Sequence, residues 1–261
     1  MEREHCPKCG YTRQASDTGP STECPRCGIV FAKYAQHLHD RRVGKLPARR
    51  RHDEEEDVAE GWRHTLQTYL FHRPGREQAA HWQLEALGIL ILMLWGAWFV
   101  ASDWREGEAG MSFLHNANLA FHEFGHLLFR PFGEWMMFLG GSLFQCLVPL
   151  IFLVAFVWQR QQPYAGAVCL WWFGQNLIDV APYIGDARSL SLPLIGEWND
   201  DMVEARMFRH DWHNILDALD MLGWDHRLAA LAHWGGATIM VLAIAWACWW
   251  IQACRQVQKA Q

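Results

Sequence analysis

Residues 135–158 and 228–254 contain no aspartate, glutamate, lysine or arginine. Each stretch is long enough to cross a hydrocarbon core of about 30 Å, and soluble helices of that length would show a polar face. Their lack of charge argues against a large soluble helical core. The chain has no Gly-rich phosphate loop, and its spans show no internal repeat, so P-loop chemistry and a solenoid architecture are not indicated. Nothing in the first 80 residues resembles the apolar core of a signal peptide, and no cleavage is expected.

The composition, 51% hydrophobic and 20% charged, averages two unlike parts. Residues 1–80 are polar, carry two cysteine pairs, and alternate basic with acidic blocks. Residues 84–254 hold the apolar runs. The expected fold class is an all-α polytopic membrane protein with about five transmembrane helices and a small N-terminal zinc ribbon. The division is 1–35 ribbon, 36–82 charged linker with an interfacial helix near 58–75 carrying Trp62 and Tyr69, and 83–254 membrane domain. The spans fall near 84–102, 111–132, 135–158, 164–186 and 228–254, with an inner loop at 187–227. Sixteen tryptophans, many near span ends, fit interfacial belts.

Arg41, Arg42, Lys45, Arg49, Arg50, Arg51, Arg63, Arg73 and Arg76 all precede the first span. The positive-inside rule therefore places the N-terminus in the cytoplasm of a multi-pass protein of the plasma or inner membrane. Strict alternation of five spans then puts Arg130 and the 187–227 loop inside, and Arg255 and Lys259 outside. The basic run is open to two readings, attraction to an anionic leaflet or a solvated linker.

Cys6-Pro-Lys-Cys9-Gly and Cys24-Pro-Arg-Cys27-Gly form two CxxC-Gly knuckles. Four thiolates in two such turns can close a tetrahedral zinc site, and a segment this short needs a metal to hold itself together. Iron in a rubredoxin-like site and a redox CxxC are the rival readings. Cys146, Cys169, Cys248 and Cys254 lie in spans and read as small buried apolar residues.

His122-Glu123-Phe124-Gly125-His126 lies within the second span. On a helix, HExxH sets two imidazoles one turn apart on one face, where both can bind Zn²⁺, with the glutamate placed to take a proton from the attacking water. His115 and Asn118 extend the same polar stripe. The alternative is a stripe that only hydrogen-bonds neighbouring helices. Ionisable groups in lipid are costly, and by default they mark function.

A catalytic zinc usually takes three protein ligands, and the chain from Asn176 to Arg188 offers an acid. HExxH in one span, Gly140-Gly141-Ser142 in the next, and a third span ending in Asn176…Pro182…Asp186 resemble the core of the site-2 protease family of intramembrane zinc metalloproteases. The resemblance covers roughly residues 111–188. It implies that His122, His126 and Asp186 hold the metal, that Glu123 is the catalytic base, and that Asn176 binds the unwound substrate backbone. The sequence departs from the family at Asp179, which stands where the first Pro would be, and at Ala187, which replaces the Gly after the ligand. Asp179 is thus the alternative third ligand. An unbroken helix from Tyr164 would carry Asp179 about 22 Å and Asp186 about 33 Å, but Pro182 and Gly185 argue for a break.

The leading functional expectation is an intramembrane zinc metalloprotease with one catalytic and one structural Zn²⁺. Its substrate would be a membrane-embedded protein, its ribbon would meet a cytoplasmic partner, and no nucleic acid is expected. A membrane di-iron oxygenase using His122, His126, His210 and His213 is a rival, as is a non-catalytic zinc-ribbon adaptor. In the loop segment His210-Asp211-Trp212-His213, Asp211 reads as the cap of a helix running to Leu222 and closed by Gly223.

Overall fold

A computed structural model describes residues 5–14, 16–17, 19–42, 61, 64–65, 67–192 and 203–260. The basic run from Lys45, the acidic run 53–57 and Trp62 lie outside the described residues. The chain forms two compact units, Met1–His64 and Thr65–Gln261.

In the first unit each CxxC makes a tight knuckle. Gly10 N–H donates to the Cys6 carbonyl and Gly28 N–H to the Cys24 carbonyl. Both glycines have φ near +70°, at 70° and 69°, a conformation an L side chain rarely takes. The glycine after each second cysteine thus supplies the turn expected of it. Helix α1 (Phe31–Arg42) follows and runs past the expected ribbon boundary at residue 35.

The second unit is helical, with no strand among the described residues. Its main elements are α2 (Trp82–Ala101), α3 (Phe113–Phe129), α4 (Glu134–Val154, continued by a wider turn Ala155–Gln159) and α5 (Pro163–Gly185). After them come α6 (Val203–Arg209), α7 (Asp211–Ala218) and α8 (Asp225–Lys259). Three helices are long and apolar enough to cross a membrane: Trp82–Ala101, Glu134–Gln159 and Leu222–Lys259. The fourth long helix, α5, is the buried centre of the bundle. The break expected at Pro182 is absent, and the helix continues to Gly185. Of the proposed interfacial helix, residues 67–70 are helical, and Tyr69 stacks on Trp158 at 5.0 Å.

Glycines set the two closest crossings. A Cβ on Gly125 of α3 would lie 2.2 Å from the Gly140 carbonyl oxygen of α4. One on Gly236 of α8 would lie 2.4 Å from that of Gly174 in α5. In lipid, apolar burial does not drive helices together, so close backbone approach through small residues is what holds such pairs.

Named contacts fix the helix directions. Trp250, late in α8, donates to Glu85 at the start of α2 (3.0 Å), and His233 meets the Val100 carbonyl near the end of α2 (3.2 Å). Those two helices are antiparallel. Tyr164 at the start of α5 donates to the Glu85 carbonyl (3.0 Å), while Trp104 packs on Gly185 at the end of α5, so α2 and α5 are parallel. Helix α4 runs against α5, with Gln145 on Asp179 and Val157 on Gly166. It also runs against α3, with Gln145 on His122 and the Met137 carbonyl on His126.

Helices α2 and α5 therefore point the same way and α4 runs against both, while α3 crosses α5 with His115 on Asp179, Asn118 on Gln175 and Phe121 on Trp172. The end of α2 and the start of α4 thus share one end of the bundle, and residues 102–133 leave and return there. Ala109 sits in a buried cluster with Phe99, Ile178 and Met240, against which Leu114 packs. Helix α3, with 17 residues, is about 25 Å long, short of a full crossing. Among the described residues, 187–192 and 203–227 lie at the end of the bundle opposite the start of α2 and the end of α8. At that other end, Arg255 lies over the Trp82 ring at 5.1 Å.

Candidate metal centres

The first unit brings Cys6, Cys9, Cys24 and Cys27 together. Cys6 and Cys27 are 3.7 Å apart at sulfur, as are Cys9 and Cys24. Four sulfurs placed tetrahedrally at about 2.3 Å from one ion would be about 3.8 Å apart, so the cluster fits a Zn²⁺-sized cation as it stands. Burial raises the Cys6 thiol, but the backbone N–H groups of Cys9 and Lys8 outweigh it and bring it down to about 6. At Cys27 the Ile29 backbone N–H pulls the other way from burial and the neighbouring thiols, which together push it up to about 12. Cys6 is thus ready to ionise, whereas Cys27 needs a cation beside it.

In the second unit, α3 starts at Ser112, whose hydroxyl accepts the Leu114 N–H (3.2 Å). Three turns on, the i and i+4 positions of HExxH present His122 and His126 on one face, with ring centroids 4.8 Å apart. Between them comes the carboxylate of Asp211. Its Oδ2 lies 3.1 Å from His122 Nε2 and 3.3 Å from His126 Nε2. Ligands about 2.0–2.1 Å from a tetrahedral ion would stand about 3.3–3.4 Å apart, close to the two distances from Asp211.

The partners of the other ring nitrogens fix the tautomers. His126 Nδ1 donates to the Met137 carbonyl (2.8 Å). His122 Nδ1 faces Gln145 Oε1 (3.2 Å), and Gln145 Nε2 donates to Asp179 Oδ2 (3.0 Å). With its NH₂ donating to Asp179, the amide turns its oxygen toward His122. His122 therefore carries its proton on Nδ1. Each Nε2 faces the Asp211 oxygen: a cation between them would take the Nε2 lone pairs, where an imidazolium N–H would otherwise donate to the carboxylate.

Gly141 leaves the room. A Cβ there would come within 2.6 Å of His122 Nε2 and 2.7 Å of His126 Nε2. The three groups open on a cavity of about 550 Å³, whose wall also includes Glu123, His115, Tyr183 and Arg209. Glu123 thus shares one chamber with the histidine pair.

Asp211 arrives by tertiary packing. His210, not Asp211, caps α7, accepting the His213 N–H on its Nδ1 (3.2 Å). The helix spans Asp211–Ala218, shorter than the expected run to Leu222. Trp212 donates to Ser142 of α4 (3.1 Å), and His213 donates to the Ala187 carbonyl (2.7 Å). Tyr183 clamps the ligand itself, donating to its carboxylate (3.2 Å) and accepting its backbone N–H (2.9 Å).

The other residues singled out in the sequence sit elsewhere. The expected third ligand, Asp186, accepts from the Ser189 and Ser191 hydroxyls and from the N–H groups of Ser191 and Leu192. Its lone pairs fold the turn after α5. The alternative, Asp179, accepts from His115 (3.0 Å), Asn118 (3.1 Å) and Gln145, one step behind His122. Asn176 is fully buried, donates to the Trp172 carbonyl of its own helix, and does not line the cavity. His210 and His213 do not join His122 and His126, so the His-box arrangement is not formed.

The quartet at 210–213 was visible in the sequence, but nothing local linked Asp211 to His122, 89 residues away. The basis for reading these centres is the geometry alone: no protein-family model, no curated protein and no solved structure matches the chain.

Proposed function

We propose that the chain is a membrane zinc metallopeptidase that cuts transmembrane or membrane-proximal peptide segments. The observation that carries this reading is the convergence of His122 Nε2, His126 Nε2 and the Asp211 carboxylate in the chamber that Glu123 lines. When bound there, Zn²⁺ would supply Lewis acidity toward the scissile carbonyl and the attacking water. His122, His126 and Asp211 hold it, and Gln145, Asp179 and the Met137 carbonyl keep the two rings in the ligating tautomer. Glu123 takes the proton of the attacking water and delivers it to the leaving amine. The resemblance to the site-2 proteases supports this reading at HExxH and at Gly140-Gly141-Ser142, while the third ligand comes from a different part of the chain. In the N-terminal unit the cysteine cluster holds a structural zinc, and that unit serves as a docking module.

The test uses detergent-purified protein and a panel of single-span reporter peptides in liposomes. Wild type should cleave members of the panel, and Glu123→Gln should retain its zinc but not cleave. Cleavage by Glu123→Gln at the wild-type rate would remove the glutamate from the mechanism. If neither protein cleaves but both carry the metal, the reading as a zinc-ribbon adaptor takes its place.

A further inference from the structure

We infer that the His122–His126–Asp211 centre serves the extracytoplasmic face of the membrane, so that it acts on the extracytoplasmic end of a membrane-inserted peptide. The placement follows from helix direction and charge, and the word peptide rests on the proposed peptidase activity.

Helix α2 enters the bundle at the end where α8 leaves it, as the Trp250–Glu85 and Arg255–Trp82 contacts show. The connection between α4 and α5 lies at that same end, where the Tyr164 hydroxyl reaches the Glu85 carbonyl. Near the start of the unit, Trp246 donates to the Leu70 carbonyl (2.8 Å). This end therefore gathers Arg73, Arg76, Arg160, Arg255 and Lys259 against Glu77 and Glu85, and it follows the basic run Arg41–Arg51 in the chain. Among the described residues the opposite end comprises 102–112, 130–134, 186–192 and 203–227, with ten acidic residues against six arginines. One of those arginines, Arg188, is matched by a bidentate pair with Asp225 at 2.7 Å.

The positive-inside rule then puts both the entry to α2 and the exit from α8 in the cytoplasm. Under strict alternation Arg255 and Lys259 would fall on the wrong side; the return of residues 102–133 to the end they leave from removes that conflict. Eight free cysteines, four of them clustered near the N-terminus, agree with a reducing compartment for that region.

The metal centre lies at the acidic end. Asp211 belongs to the 186–227 segment, and the chamber wall is completed by Gly107 and Gly110 of the 102–112 segment and by Leu192 and Arg209. Because His126 meets the Met137 carbonyl near the start of α4, HExxH sits toward this end. A substrate helix would have to expose its extracytoplasmic end to reach the two imidazoles, since backbone must unwind before water can attack it.

Full-length Ala218→Cys and Gln256→Cys, both at exposed positions, are expressed in intact cells and treated with a membrane-impermeant maleimide, with the parent protein as background. Labelling of Ala218→Cys should exceed the parent severalfold without permeabilisation, whereas Gln256→Cys should react only after it. The reverse pattern overturns the inference. So does equal labelling of the two in intact cells, since α8 would then fail to separate them. None of these readouts depends on cleavage. In a second arm, single-span reporters tagged at both ends should yield a cytoplasmic fragment retaining nearly the whole span. A fragment cut in the cytoplasmic half overturns the inference. Failure of every reporter to be cut, with the labelling pattern as expected, would count against the peptidase reading and leave the orientation standing.

Discussion

The two candidate metal centres of this protein are built in opposite ways. The cysteine cluster is local: four ligands within 22 residues, each pair on one knuckle, each knuckle closed by its own glycine. The membrane centre is assembled at long range. Two ligands share one helix, and the third arrives from a short helix pinned to α4 by Trp212 and to the end of α5 by His213. A local site needs the metal to exist. The long-range site is held by hydrogen bonds around its ligands and so is prepared before a metal arrives.

The contrast can be broken most directly by removing one ligand from each centre. Asp211→Ala should abolish membrane zinc and all cleavage while leaving about one zinc per chain. Cys9→Ser should do the converse, losing the N-terminal metal and the fold of the first unit. Metal content by mass spectrometry and separate proteolysis of the two units would check both. Loss of both metals in either variant would mean the centres are coupled.

Glu123→Gln comes next in size. General acid–base catalysis contributes about 10²–10⁴-fold, so cleavage should fall by that factor with zinc unchanged. An accompanying loss of zinc would show that the glutamate helps to hold the metal.

Gln145→Leu sharpens the claim that the site is prepared in advance. Without the amide, His122 loses the acceptor for its Nδ1 proton, and zinc affinity should fall about 10–100-fold in competition with a chelator. Affinity unchanged from wild type would detach the Asp179–Gln145–His122 chain from the metal.

The smallest effect on the site is expected from Asp186→Ala. Four hydrogen bonds in the turn after α5 would be lost, costing about 1–3 kcal/mol of stability or more, yet membrane zinc should persist at saturating metal. Loss of that zinc in a folded protein would restore Asp186 as a ligand.

Much of this was legible in the sequence where the chemistry is local. HExxH is readable because a helix brings i and i+4 together whatever surrounds it, and Cys-x-x-Cys followed by glycine is readable because one turn satisfies it. Asp179 was recognisable as a polar group near the site, though its route to His122 through Gln145 was not. That Asp211 and not Asp186 stands beside the two histidines was not legible, because both follow α5 and sequence spacing carries no record of which one packing returns to α3. Pro182 misled in the same way: a proline costs one helical hydrogen bond, and the bundle packed around α5 keeps that helix going.

The sequence by itself determined the membrane character, the two knuckles, and a paired imidazole face with an acid beside it. These follow from apolar length and from contacts within a few residues. Tertiary structure alone decided that Asp211 joins the two histidines, that Gly141 leaves room beside them, and that residues 102–133 return to the end of the bundle where α2 finishes. Those outcomes depend on which backbones approach closely, as at Gly125 on Gly140 and Gly174 on Gly236. Such approaches are made between residues far apart in the chain, where no local pattern reaches.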